Sequence, residues 1–351
     1  MEKQESNVVN TRKIFKGLKI AISVSLLFSA ILILMTLDEE ALLRALNSVS
    51  VIVLIKIAGL MMINFIAAGS GLKIMVSATG NYIRLIDGVK LYLAGAFISN
   101  VTPMATGGGP FQVYFLHKKG INLGQSTMVV LTQFILRIFF FTISSLIFLI
   151  FFNDAISPGI LPDSVFYVAF GVGFLIAISL ILFSIVPGIS ESLINLLFRV
   201  KKLRKFVKNN YKIKRLIAKG RKELHEFHQS MELLVHHKGK VFLAAITTIV
   251  YWSSLFLIIP TILNGLGYDP HYLKSYVMQT IFNLVIPYTP TPGASGVAEV
   301  GFASLFISFI PRGIIGIVTF LWRFITFYLL LIIGGVFALK EMGWKRSKSN
   351  G

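Results

Sequence analysis

The chain has 351 residues, of which 55% are hydrophobic, and a formal net charge of +19 at pH 7. A mean hydropathy of +0.77 excludes an ordinary water-soluble domain and places the chain among polytopic membrane proteins. The sequence contains no cysteine, which excludes a disulfide framework and thiolate chemistry.

Apolar segments along the chain predict six full membrane-spanning helices, each close to the ~20 residues that a bilayer needs. The first follows a polar, basic N-terminal segment and has no small-residue cleavage pattern after it, so we interpret it as a span and not as a cleaved signal peptide. The predicted spans are residues 20–37, 51–71, 128–152, 165–186, 241–263 and 313–339.

Two further apolar segments, residues 91–116 and 276–309, are interrupted by helix-breaking residues. The first contains TPMATGGGPFQVYF at 102–115 and the second contains TPTPGASGVAEVGF at 289–302. Proline removes a backbone donor and clashes with the preceding turn. Because backbone groups freed at membrane depth need partners, such a break is tolerated only inside protein or beside water. We therefore predict two re-entrant broken-helix hairpins that line a site.

The two broken segments resemble each other at an offset of 187 residues. The coinciding residues include Thr102 with Thr289, Pro103 with Pro290, Gly109 with Gly296, and Gln112 with Glu299. This shared pattern indicates an internal repeat, with repeat A at about 51–152 and repeat B at about 241–339. Both repeats would belong to one all-α transmembrane domain, residues 1–340.

The segment 188–240 carries 14 Lys and Arg residues, with Leu, Ile and Phe recurring at roughly helical spacing. That pattern predicts two basic amphipathic helices on the membrane surface, where they would attract anionic lipid. The basic charge is a topology signal, and we expect no nucleic-acid partner. A short basic tail, residues 341–351, ends the chain.

Membrane topology follows from the distribution of basic residues. If the N-terminus is cytoplasmic and both hairpins return to the side they came from, 28 of the 34 Lys and Arg residues lie in cytoplasmic loops or termini, as the positive-inside rule requires. Both termini are then cytoplasmic in a multi-pass plasma-membrane protein. The hairpins enter from opposite sides, so the repeats are inverted, which is a transporter architecture with its site at the repeat interface.

Arg137 and Arg323 lie near the middle of predicted spans, where an arginine costs ~2.5–3.5 kcal/mol on insertion scales. One interpretation is that they hold an anionic group, such as a lipid phosphate, by bidentate hydrogen bonds. The other is a structural salt bridge between one of them and Glu299, the only carboxylate at membrane depth. Glu299 could also relay protons.

Further polar groups complete the candidate binding site. Gln112 and Asn283 could hydrogen-bond a head group, although such residues, like Asn64, Asn100, Gln133 and Gln279, commonly join helices. Four glycines could expose amides to an anion or simply turn the hairpins; they are Gly108, Gly109, Gly293 and Gly296. We expect no catalytic residue, metal or cofactor. His225 and His228, in ELHEFH, lack the HExxH zinc spacing and are predicted to be polar positions on a surface helix.

The two broken motifs carry a resemblance to a known family. TPTPGASGVAEVGFASLF resembles the PTPGGxGxxE signature of the lysylphosphatidylglycerol synthase transmembrane (flippase-like) family, and NVTPMATGGGPFQVYFL resembles its earlier PxxGGEPxR element. The resemblance covers about residues 15–340. Gly109 stands where the family commonly has an acidic residue and Gln112 where it commonly has a basic one, which weakens a charge-paired role for the first hairpin.

The resemblance implies handling of aminoacyl-phosphatidylglycerol or another polar lipid, because the family includes the membrane flippase half of the multiple peptide resistance factor. It implies an integral membrane lipid translocase whose partner is anionic phospholipid. No aminoacyltransferase domain is recognisable, so we do not expect an enzyme. Two alternatives are a secondary transporter of a small anion, with Glu299 as its proton site, and the membrane subunit of a lipid-modifying enzyme with a separate transferase partner. A homo-oligomer is compatible with each.

Overall fold

The computed structural model describes residues 11–36, 50–152 and 211–342 continuously, with a few single residues elsewhere. Within these residues the regular structure is entirely helical, which confirms the predicted fold class. Five helical stretches are long and apolar enough to cross a membrane. Most of the predicted span 165–186, and most of 188–210, lies outside the described residues.

The described helices include long spans and shorter helical segments. Their bounds are α1 (Thr11–Thr36), α2 (Val51–Ala78), α3 (Leu85–Val101), α4 (Gly108–Lys118), α5 (Leu123–Phe151), α6 (Tyr211–His236), α7 (Lys238–Phe256), α8 (Ile258–Gly265), α9 (Tyr272–Val285), α10 (Val297–Phe306), α11 (Arg312–Arg323) and α12 (Leu329–Glu341). Helices α7 and α8 form one apolar stretch, as do α11 and α12. A π-helical turn, Phe324–Tyr328, joins α11 to α12.

Helices from the two halves of the chain pack against each other. Helix α2 lies along α7, and α12 lies along α3. One large apolar cluster is built mainly from α2 to α5 but includes Phe327 and Leu331 from the last span. The other is built mainly from α8 to α11 but includes Met61 and Phe65 from α2. Each of these two clusters thus contains side chains from both halves of the chain.

Each broken segment turns through a short 3-10 turn, and the two turns share a backbone conformation. The first is Pro103–Ala105 and the second is Pro292–Ala294. Ala105 and Ala294 both have φ of 53°, a left-handed value that is uncommon outside glycine. The hydroxyls of Thr106 and Ser295 each donate to the proline carbonyl three residues earlier, both at 3.0 Å. The two turns are thus built in the same way.

This match corrects the offset predicted from the sequence. The conformations coincide at a separation of 189 residues, which places Pro103 on Pro292 and not on Pro290. The starts of the following helices agree, since Gly108 begins α4 and Val297 begins α10. At this register TPMATG lies on TPGASG. Glu299 then corresponds to Pro110, and the predicted correspondence of Gln112 with Glu299 is wrong.

The tips of the two broken segments are in contact. The Met104 N–H donates to the Thr289 carbonyl at 3.2 Å, and a Cβ built on Gly293 would lie 3.0 Å from the Asn100 carbonyl oxygen. Helix α1 covers the second tip, because the Ser295 hydroxyl is also within hydrogen-bond distance of the Ala21 carbonyl, at 2.8 Å, and its one proton is shared between the two carbonyls. The second tip is thus partly covered by protein, whereas residues 103–106 of the first turn are exposed.

One of the two amphipathic helices predicted in the basic segment is present as α6, in the part of that segment that the structure describes. Its apolar side packs on the protein, with Phe227, Met231 and Leu234 in the first apolar cluster. The Glu223 carboxylate accepts from the Gly124 N–H at 3.0 Å, beside the N-terminus of α5, where negative charge is favourable. His228 is buried, on the side of α6 that packs inward.

Candidate functional site

The second broken segment is fixed by a buried carboxylate, Glu299, in the first turn of α10. Its side chain is 0% exposed. One carboxylate oxygen accepts from the Gly296 N–H at 2.7 Å, which satisfies one of the unpaired amides at the helix start. The other accepts from Arg323 Nε at 2.7 Å and from the Ser25 hydroxyl. All these partners donate, an arrangement that suits a charged carboxylate.

Arg323 joins the same cluster from the end of α11. It is 5% exposed, and besides Glu299 it donates from a terminal nitrogen to the Gly293 carbonyl at 3.0 Å. Its guanidinium lies over the ring of Phe327, 4.4 Å from the centroid. A buried charge is tolerated when it is paired and hydrogen-bonded, and both conditions hold here. The structure therefore contains the Glu299–Arg323 salt bridge that the sequence offered as one alternative.

Two hydroxyl groups extend this cluster to the first and last spans. Tyr328, in the π-helical turn, donates to the Ser25 hydroxyl at 2.8 Å, and Ser25 in turn donates to Glu299. Sequence reasoning missed both residues. A serine within an apolar helix gives no signal of its own, and Tyr328 reads as one of many aromatic residues in the last span.

Arg137 has different surroundings, in the middle of α5. It is half-buried, and its guanidinium stacks over Phe134 at 4.7 Å from the ring centroid. Among the described residues it makes no ion pair and no hydrogen bond. It lies within electrostatic range of the phenol groups of Tyr251 and Tyr288, both of which come from the second half of the chain.

Tyr251 belongs to a polar cluster between helices. The Tyr251 hydroxyl is 3.1 Å from the Tyr92 hydroxyl, and Tyr92 donates to the Asn64 side-chain oxygen at 3.3 Å. The Asn64 amide donates to the Tyr251 carbonyl at 2.9 Å. One turn before Arg137 on the same face of α5, the amide nitrogen of Gln133 is buried without a hydrogen-bond partner among the described residues. This face of α5 therefore carries hydrogen-bond donors that have no acceptor among the described residues.

The structure separates the predicted site residues into distinct environments. It brings Glu299, Arg323, Gly293 and Gly296 together and leaves Arg137 among a different set of neighbours. The Asn283 amide donates to the Gln279 carbonyl one turn earlier, at 2.9 Å.

Three predicted residues lie on or beside α4. The Gln112 side chain lies against Gly95, where an added Cβ would be 2.7 Å from its nitrogen, and Gly108 lies closely against Ser99. Gly109 has only Val130 near it, at 3.8 Å. None of these three contacts the salt bridge.

Comparison with known proteins agrees with the resemblance of the two motifs. Residues 18–334 match the family described as the lysylphosphatidylglycerol synthase TM region. A UPF0104 membrane protein of Archaeoglobus fulgidus is 30% identical over 268 residues, which is 76% of this chain and 79% of that protein. A second UPF0104 membrane protein, from Pyrococcus horikoshii, is 24% identical over 267 residues, covering 74% of this chain and 78% of its own length. No solved structure matches. The chain is a multi-pass membrane protein that belongs to the lysylphosphatidylglycerol synthase transmembrane family.

Proposed function

We propose that this protein moves a polar lipid between the two leaflets of the plasma membrane, with both termini on the cytoplasmic side. The observation that carries the proposal is Arg137, a half-buried arginine in the middle of a long apolar helix that has no ion pair among the described residues. An arginine at membrane depth is costly unless it faces protein, water or a functional partner. A lipid phosphate would supply two acceptors in the planar arrangement that guanidinium binds best.

The contact between the two broken segments supports the same proposal. Broken helices that meet inside a membrane protein are typical of transporters, whose sites lie between the halves of the molecule. Here residues of both halves approach Arg137, since α5 carries the arginine and α7 carries Tyr251. A head group bound to Arg137 would thus contact both halves, while its acyl chains remained in the bilayer.

We assign different roles to the two arginines. Arg323 has its hydrogen bonds directed at Glu299 and Gly293, so we propose that it holds the second broken segment against the last span. Glu299 receives donors on both oxygens, which favours a fixed partner of Arg323 over a site that exchanges protons. Arg137 is then the residue that binds the head group.

Reconstitution into liposomes tests this proposal. A lipid labelled on its acyl chain is placed in both leaflets, and a membrane-impermeant reductant then bleaches only the outer label. Vesicles that contain the protein should bleach almost completely, and protein-free vesicles should stop near half. Arg137→Gln should abolish the additional bleaching. Arg312→Gln, which removes an exposed arginine at the start of α11, should not. Bleaching that is unaffected by Arg137→Gln would contradict the assignment.

A further inference from the structure

We infer that the head group bound at Arg137 is a phosphodiester monoanion without an ammonium group, so the preferred lipid is anionic and neither zwitterionic nor aminoacylated. This inference rests on the proposed function and names the substrate class of the same site. It differs from the aminoacyl lipid that the family name suggests, and it follows from which charges are available near the site.

The carboxylates of the two predicted repeats are already engaged elsewhere. Residues 51–152 and 241–339 contain three acidic side chains, Asp87, Asp269 and Glu299. Asp87 accepts from Lys119 at 3.1 Å, and Asp269 accepts from the His271 N–H at 3.0 Å in a turn. Glu299 is buried against Arg323. None of them remains to bind a lysyl or ethanolamine ammonium beside Arg137.

The polar groups on the Arg137 face of α5 that lack a partner among the described residues are hydrogen-bond donors. The guanidinium offers five N–H groups and makes no hydrogen bond among the described residues. The Gln133 side-chain nitrogen is buried on the same face of α5 and also has no partner there. A buried donor that stays unpaired costs ~1–3 kcal/mol, so the ligand that best fits this face is one that only accepts. The non-bridging oxygens of a phosphodiester only accept and so meet that need, whereas an ammonium group would add donors and positive charge.

Electrostatics point the same way. A positively charged ammonium near Arg137 would be repelled by a charge that has no counterion among the described residues, and repulsion grows where the surroundings are less polar than water. A single negative charge instead neutralises the arginine inside the membrane. The site thus selects by the net charge of the head group.

A comparison of head groups in vesicles of otherwise identical composition tests the inference. The full chain is reconstituted in phosphatidylcholine, with trace amounts of acyl-labelled phosphatidylglycerol, phosphatidylethanolamine or lysyl-phosphatidylglycerol. Phosphatidylglycerol should cross at least about tenfold faster than either of the others, a difference of ~1.4 kcal/mol. Arg137→Gln should abolish the movement of all three lipids, Arg137→Lys should retain part of the movement with the same preference, and Arg312→Gln should match the native protein.

The outcomes separate the two proposals. If all three lipids cross equally, or the lysyl lipid crosses fastest, the charge preference is overturned and translocation stands. If no lipid crosses, both proposals fail as stated. A parallel measurement offers radiolabelled glycerophosphoglycerol and glycerophosphoethanolamine as soluble forms of the same chemistry. Uptake of the first alone, without lipid movement, would keep the charge preference and assign the site to a small anion.

Discussion

Arg137 and Arg323 both lie in long apolar helices, but they differ in burial and in their bonding partners. Arg323 is buried, bonded to a carboxylate and a carbonyl and stacked on Phe327. Arg137 is half-buried and has a ring beneath it but no charged partner among the described residues. A charge at membrane depth can thus be paired within the protein or have no counterion among the described residues.

The largest expected effect is on the Arg323 side. Arg323→Ala leaves Glu299 buried without its counterion, and breaking a buried pair in this way costs about 3–5 kcal/mol. We expect loss of the folded protein in detergent, measured by thermal unfolding and size-exclusion chromatography. Arg137→Ala should unfold near the native temperature. If both variants behaved alike, the two arginines would not have separate roles.

A double replacement sharpens this first result. Substituting a buried ion pair by apolar residues of similar volume is often neutral or stabilising. Glu299→Leu combined with Arg323→Met should therefore be more stable than either single variant. A double variant as unstable as the singles would mean that Glu299 is needed for its bonds to Gly296 and Ser25 more than for its charge.

The next effect concerns the turn that contains Gly293, whose carbonyl accepts from Arg323. Gly293 has φ of 60°, and an added Cβ would overlap the ring of Phe327. Gly293→Ala combines strain with a steric clash and should cost ~1–3 kcal/mol. The control is Gly109→Ala in the first broken segment, where the nearest atom to an added Cβ is 3.8 Å away, and it should leave the unfolding temperature nearly unchanged. Equal losses would contradict the close packing around Gly293.

A smaller effect is expected at Ser25. Ser25→Ala removes one donor from Glu299 and the acceptor of Tyr328, and should cost ~1–3 kcal/mol because a buried polar group loses its partner. Tyr328→Phe removes only the outer hydroxyl and should cost less. Thermal unfolding of both variants checks the order, and a larger loss in Tyr328→Phe would contradict the direction of the chain of bonds.

The smallest expected loss of stability is that of a substitution near Arg137. Tyr251→Phe removes a hydroxyl that contacts Tyr92 at 3.1 Å, at a net cost of ~0.5–1.5 kcal/mol. Because this phenol lies within electrostatic range of Arg137, the head-group preference in vesicles should weaken even though the fold survives. Loss of stability with unchanged preference would make Tyr251 a helix-packing residue alone.

Sequence reasoning reached much of this fold because hydrophobic length and breaker residues are strong signals in a membrane protein. Both broken segments were located, and Glu299 was identified as the carboxylate that could engage an arginine. The repeat register was two residues off. The segment 289–292 contains two threonine–proline pairs, and the predicted offset aligns the first of them with Thr102-Pro103. The second pair is the better match, because TPGASG at 291–296 resembles TPMATG at 102–107 over all six positions.

The remaining features depend on contacts between distant parts of the chain. Nothing in a single sequence distinguishes Ser25 from Ser29 on the same helix, yet only Ser25 donates to Glu299. Likewise, the sequence places both arginines near the middle of predicted spans and does not distinguish their roles. Arg137 follows the start of α5 by 14 residues and Arg323 follows the start of α11 by 11, so they differ by nearly one helical turn.

The bond from Ser25 to Glu299 joins residues 274 positions apart, and this has a consequence for biogenesis. Chains are made from the N-terminus at ~5–20 residues per second, so α1 would wait about 14–55 s for the carboxylate it contacts. During that time the nascent first helix can rely only on lipid and on its nearer neighbours. Final assembly must therefore occur late, after almost all of the polypeptide has left the ribosome.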